Sequence, residues 1–273
     1  MKRDFVLIPG LWAGAWIWER VTGPLRDLGH RVHPVTLSGL APGQGDPAGV
    51  GPATHVDDVI RVLKDEGLRD VVLVAHCYGG VVAGQVAERE PGLVAHTVFV
   101  EAFLPHDGRS VLHTFPESIR AGELSLIEEG GGRWPPPDVS EVAEGQDLSE
   151  QDARRLAGRL VGHPGRTVSE PVTLRRPLSE RRATYVVCLQ DHFGENLSPD
   201  VEAMRDEPAW TFRTLDTGHW PMVSAPDELV VILDEVAGQT PGEHPGAGPG
   251  PRSSSAPWPA APPGSGWSRR GGP

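Results

Sequence analysis

Five apolar residues in a row, VVLVA at 71–75, place the tightest limit on how this chain of 273 residues folds. A strand with one wet face alternates apolar and polar side chains, whereas a strand covered on both faces does not. The run continues into HCYGG (76–80) and then into GGVVAGQVAERE (79–90), a helix built from small residues. A doubly buried strand, a tight turn and a closely packed helix belong to a mostly parallel sheet flanked by helices.

The pattern recurs along the chain. Strands are expected at 4–8 (DFVLI), 30–37, 96–102, 183–190 and 210–216, and helices at 15–28, 54–67 and 226–238. Gly23-Pro24 is expected to kink or split the first helix, because proline lacks the N–H that the helix needs. Thr54 is expected to cap the second. Between about 104 and 182 the strand pattern gives way to a Pro-, Gly- and Glu-rich stretch with one helix at 148–161. This region is expected to be an insertion over the carboxyl edge of the sheet, where such sheets bind ligands, and so to act as a lid. The main domain is taken as 1–240.

Residues 241–273 differ in kind: 17 of the 33 are Pro or Gly, with no apolar period. Such a segment buries too little surface to offset its ordering entropy, so a disordered, dispensable tail is expected, with Trp258 and Trp267 as neutral passengers. The net charge of −12 is spread out, with no basic stripe, which argues against nucleic acid as a partner. No run reaches the roughly 18 apolar residues of a membrane span. At the start, Asp4 precedes the apolar run, Pro9-Gly10 breaks it and no cleavage site follows, so a cytoplasmic chain is expected. Cys77 and Cys188, the two cysteines, form no disulfide framework and no zinc spacing. No metal or cofactor is expected, and the partner is a small hydrophobic substrate. Monomer and homodimer both remain open.

Chemistry concentrates at the turn after VVLVA. A strand–turn–helix junction with small residues two before and two after the central position, here Ala75 and Gly79, is the setting of a nucleophile elbow, and the central residue is Cys77. At a helix N-terminus the partial positive charge favours thiolate. His76 points away from the nucleophile in such a turn and is read as structural. A base and an orienting acid must come from elsewhere. His219, in the rigid GHWP setting after the last strand, is the base, whereas His163 and His244 suit ordinary surface loops. Asp191, at the tip of LQDHFGE, is the acid, and Glu101, at the end of its own strand, is the rival acid. Backbone N–H groups of Tyr78 and Leu11 are expected to form an oxyanion hole. Trp12 and Trp16 are candidate walls of an apolar pocket, with Trp220 beside the histidine.

These stretches, FVLIPGLWAGAWIWERV, VVLVAHCYGG, VFVEAFLP, YVVCLQD and GHWPM, resemble the α/β-hydrolase superfamily from residue 4 to about 238. The likeness is greatest to the small branch that holds plant methyl esterases, hydroxynitrile lyases and salicylate-esterase-like proteins. The resemblance implies the α/β-hydrolase fold, a helical lid and a triad of Cys77, Asp191 and His219. Two departures stand out. Cys77 occupies the usual serine position, as in dienelactone hydrolases. Trp220 stands where hydroxynitrile lyases carry lysine, which argues against cyanohydrin cleavage.

The expected activity is acyl transfer or hydrolysis of an ester, lactone or thioester of a hydrophobic, aromatic or polyketide-like substrate. An Arg-rich composition with only Lys2 and Lys64 as lysines suggests a high-GC bacterium and specialised metabolism. Two other readings use the same pocket: a non-hydrolytic cyclase, isomerase or C–C lyase, and a catalytically inactive ligand-binding protein.

Overall fold

The computed structural model describes residues 2–43, 45–191 and 197–238; the 241–273 tail, with Trp258, Trp267 and His244, lies outside the described residues. DFVLI forms strand β1 (Asp4–Ile8). A 3-10 turn (Ala15–Trp18) then leads into helix α1 (Glu19–Asp27). Gly23-Pro24 does not split the helix. The helix runs through Pro24, and the interruption falls earlier, where the 3-10 turn ends at Trp18. Strand β2 (Arg31–Pro34) follows, shorter than its apolar pattern suggested.

Helix α2 (Pro52–Asp65) starts two residues before Thr54. Pro52 takes the first helical position, where a missing N–H costs nothing. Thr54 is therefore not the N-cap; it sits inside the first turn, and its hydroxyl accepts from the Gly51 N–H at 3.2 Å. Next come β3 (Val71–His76), buried at every position, and α3 (Gly79–Arg89), buried from Gly79 to Ala87. Strand β4 (Val94–Val100) completes the first half.

The insertion is mostly helical: α4 (Glu117–Glu129), α5 (Val139–Ala143), α6 (Glu150–Ala157) and α7 (Arg166–Ser169). It also contains a small antiparallel pair that the sequence pattern did not announce, β5 (Arg133–Trp134) and β6 (His163–Pro164). Two residues per strand are too few for any period to show. The chain returns to the sheet as β7 (Ala183–Cys188), passes a short α8 (Pro199–Glu202) and forms β8 (Trp210–Leu215). A turn of helix, α9 (Pro221–Ser224), leads into α10 (Pro226–Gly238).

The six main strands are all parallel, in the order β2-β1-β3-β4-β7-β8. Helix α1 packs on α10, and α2 packs on α3. Phe5, Leu7, Leu73 and Val98 are completely buried in the sheet, and each such side chain contributes about 1.5–3 kcal/mol through the hydrophobic effect. From β1 the chain winds first to β2 and then to β3 on the other side. The carboxyl ends of β1 and β3 are thus a topological switch point, where a crevice opens.

Candidate active site

Two loops meet at that crevice. The turn after β3 holds Cys77 at φ +50°, a left-handed conformation that a residue with a side chain adopts at a cost of roughly 1–3 kcal/mol. Surrounding bonds fix it: the Cys77 N–H donates to Val100 O at 3.2 Å, and Cys77 O accepts from Phe103 N–H at 3.1 Å. Gly79 is required by close approach. A Cβ there would lie 2.7 Å from Pro9 O and 2.9 Å from Ile8 O, so only glycine lets α3 pack against the end of β1. Gly10 meets the elbow from the other loop, since a Cβ on it would fall 2.8 Å from Cys77 Cβ and 2.8 Å from His76 Nδ1.

The loops after β7 and β8 bring in the partners. His219 Nδ1–H donates to Asp191 Oδ2 at 2.9 Å, and the His219 ring also hydrogen-bonds the Cys77 side chain. Cys77, Asp191 and His219 are only 6, 2 and 8% exposed. Burial works against charge on the His219 ring, but the Asp191 carboxylate and Cys77 outweigh it and raise its pKa well above the ordinary value.

His76 has a structural task beside the pair. Its Nε2–H donates to His219 O at 2.8 Å, with the two rings 4.7 Å apart. Burial and the neighbouring His219 charge hold it neutral. Trp220 is buried 5.3 Å from both the His219 and His76 rings.

The N–H groups of Leu11 and Tyr78 donate to no acceptor among the described residues, and both flank Cys77. The Tyr78 side chain faces the opposite way, into a fully buried cluster. His55 Nε2–H donates to Ser38 O at 2.8 Å, which leaves its Nδ1 to accept from the Tyr78 hydroxyl at 2.9 Å.

Trp12 is the joint between this loop and the insertion. At φ +60°, its N–H donates to His163 Nδ1 (3.1 Å), its indole N–H donates to Trp134 O (3.0 Å), and its carbonyl accepts from Val161 N–H (3.0 Å). His163 is therefore no surface-loop histidine; it is completely buried beside Tyr78, at 4.8 Å between rings. Trp16 is half-buried under the Arg159 guanidinium, 4.3 Å from its ring centre, at a second contact with the insertion.

Two further residues reach the acid–histidine pair. Gln146, from the α5–α6 link, accepts from the His219 N–H and donates to Asp191 Oδ1 at 3.4 Å. No local pattern singled it out. Glu101 has φ +43°, is 7% exposed, accepts from the Cys188 N–H and hydrogen-bonds the Asp191 carboxyl. The His219 ring bonds Asp191, and Glu101 lies against that pair, bonded to Asp191. Burial, and then the Asp191 charge, push its pKa up to about 8. Glu101, Asp191 and His219 bring ligand atoms within 4.8 Å of one another, but Asp191 Oδ2 and His219 Nδ1 are engaged with each other, so the set forms a hydrogen-bonded chain rather than an open metal cage.

A strained elbow residue, a buried acid–histidine pair and two free amides at the switch point define an α/β-hydrolase. The chain matches the Alpha/beta hydrolase family over residues 5–232 and belongs to that family. It is 36% identical over 119 residues to the carbendazim hydrolyzing esterase of Nocardioides sp. (strain SG-4G), covering 42% of this chain and 48% of that enzyme. Over 86% of this chain and 97% of the relative, it is 26% identical to methyl jasmonate esterase 1 of Vitis vinifera. An extracellular α/β-hydrolase from a Paenibacillus species, described as sharing homology with tobacco salicylic acid binding protein 2, superposes with a TM-score of 0.76. That match is 22% identical and covers 85% of this chain and 98% of the other. The chain is an esterase-type member of its family. Among the described residues no helix is long and apolar enough to cross a membrane.

Proposed function

We propose that this protein is an acyl-transfer enzyme in which Cys77 is the nucleophile, and that it hydrolyses an ester, lactone or thioester of a hydrophobic substrate. The observation that carries this reading is Cys77 at φ +50°, hydrogen-bonded to a His219 ring whose other nitrogen donates to Asp191 at 2.9 Å. The Cys77 thiol gives its proton to His219 and the sulfur attacks the substrate carbonyl, while the N–H groups of Leu11 and Tyr78 donate hydrogen bonds to the oxygen on which negative charge forms. As the tetrahedral species collapses, the imidazolium of His219 gives its proton to the leaving alkoxide, and a thioester to Cys77 remains. Neutral His219 then takes a proton from water as the water attacks the thioester, and the thiol returns. Asp191 holds the tautomer throughout.

The relatives named for hydrolysing carbendazim and methyl jasmonate favour an ester, and a methyl ester first, as the bond cleaved. The insertion, joined to the oxyanion loop through Trp12, is assigned the role of lid. Intact-mass analysis after brief iodoacetamide treatment at neutral pH tests the reading. Labelling is expected on Cys77 in the wild type, to fall by about tenfold or more in His219→Ala and to be absent in Cys77→Ala. A Cys77 that stays unlabelled would return the site to non-covalent chemistry.

A further inference from the structure

Asp191 bonds the His219 ring, and a second carboxyl, that of Glu101, lies against it. We propose that Glu101 is a positioning residue: a neutral carboxylic acid that donates its proton in a hydrogen bond to Asp191, fixes that carboxylate against His219, and on losing the proton weakens the relay. This rests on the Asp191–His219 pair being the catalytic one.

The proton can be located from the partners. Two carboxyl groups in a hydrogen bond need one proton between them. Asp191 Oδ2 accepts from His219 Nδ1–H at 2.9 Å, and its Oδ1 accepts from Gln146 at 3.4 Å. Both Asp191 oxygens are thus committed as acceptors. On Glu101, Oε1 accepts from the Cys188 N–H. The oxygen left over on Glu101 carries the proton and points it at Asp191.

The backbone around Glu101 is built to hold this geometry. Its left-handed conformation is fixed by its N–H donating to Val186 O at 3.1 Å, and the next residue is clamped on both sides by the Tyr185 hydroxyl, which accepts from Ala102 N–H and donates to Ala102 O, each at 3.0 Å. Among the described residues four non-glycine residues have positive φ, and three of them (Trp12, Cys77 and Glu101) border this site. Strain concentrated in this way marks positions that the surrounding structure holds for a purpose.

The groups that face Glu101 make its neutrality pH-sensitive. From the β7 end come Asp191, the Cys188 thiol and the Tyr185 phenol; from the β8 end comes His219; and the elbow contributes Cys77. His219 is the one cation among them and is already engaged by Asp191. Burial and the Asp191 charge push the Glu101 pKa up to about 8, so the proton is held at neutral pH and lost just above it.

Proton NMR in water follows the His219 Nδ1–H, the far-downfield signal that His219→Ala must abolish. In the wild type this signal is expected to shift with an inflection near pH 8. Glu101→Gln keeps a donor for Asp191 and an acceptor for Cys188 but does not titrate, so its signal should hold steady from pH 6 to pH 10. Glu101→Leu should broaden or lose it. An inflection shared by wild type and Glu101→Gln overturns the proposal while leaving the triad intact. A protein with no His219-dependent signal overturns the triad reading itself and the proposal with it. Thermal melts provide a second measure: between pH 5 and pH 8 the wild-type Tm should fall by several degrees more than that of Glu101→Gln or of Asp191→Asn, in which the neighbouring charge is gone, and the difference should level off above pH 8. Parallel curves would also overturn it.

Discussion

Cys77 and His219 share a hydrogen bond, but the direction of proton flow depends on Asp191. With its Oδ2 at 2.9 Å from Nδ1, the carboxylate fixes which ring nitrogen carries hydrogen and leaves the other for the sulfur. Asp191→Asn keeps the shape and removes the charge. An amide NH2 turned toward Nδ1 would favour the wrong tautomer, so turnover of an activated ester such as p-nitrophenyl acetate should fall by on the order of 10³–10⁴-fold. The variant should remain folded, because the amide keeps the size and shape of the carboxylate in its buried place. A loss of only a few-fold would place the orienting role elsewhere, with Glu101 the first candidate.

Among the elements, the α5–α6 link stands out, because it belongs to the insertion yet touches the Asp191–His219 pair. Gln146 bonds both the His219 backbone and Asp191, and Gly218 has no room for a Cβ beside it: the nearest atom, Gln146 Oε1, would lie under the ordinary contact distance. Gln146→Ala removes two hydrogen bonds, to the His219 amide and to Asp191, each worth about 0.5–1.5 kcal/mol, so the melting temperature should drop by several degrees. If the link steadies the histidine loop, kcat should fall about tenfold with KM nearly unchanged, and a steady-state comparison of the two parameters decides this. Contacts of this type are what sequence patterns miss. The apolar runs that became β1, β3 and β7 were legible because burial on both faces leaves no alternation, and the elbow was legible because Gly79 must be small. The strand pair at Trp134 and His163, the Trp12 joint, Gln146 and the place of Glu101 against Asp191 all arise from residues far apart in sequence. Thr54 and Pro24 were misplaced for a local reason: Pro52 begins its helix earlier than the threonine suggested, and α1 tolerates an internal proline.

For the whole molecule, the buried histidines set its response to acid. His55 and His96 have pKa values lowered to about 4, and His76 and His163 lie well below the ordinary value of 6.5, in each case chiefly through burial. Each stays neutral in the folded protein while its unfolded counterpart takes up a proton below pH 6.5. The stability these groups supply is therefore complete above pH 6.5 and is lost as the pH falls toward 4. Glu101 works in the opposite sense, since it holds a proton in the folded state up to about pH 8 that the unfolded chain has released above about 4.5. His219, with its pKa raised, is charged in both states below pH 6.5 and adds nothing in that range. Near pH 5.5 the four imidazoles gain protons on unfolding and Glu101 gives one up, a net uptake of about three. Urea unfolding should show a midpoint that falls steeply between pH 6.5 and pH 5. His96→Gln should flatten that slope by about one proton, because His96 bonds Thr184 at 2.9 Å within the sheet, away from the active site. A midpoint that is level across this range would mean that these rings take up protons in the folded state, and that the His55–Tyr78–His163 cluster, joined through His163 to the loop after β1, opens to water before the protein unfolds.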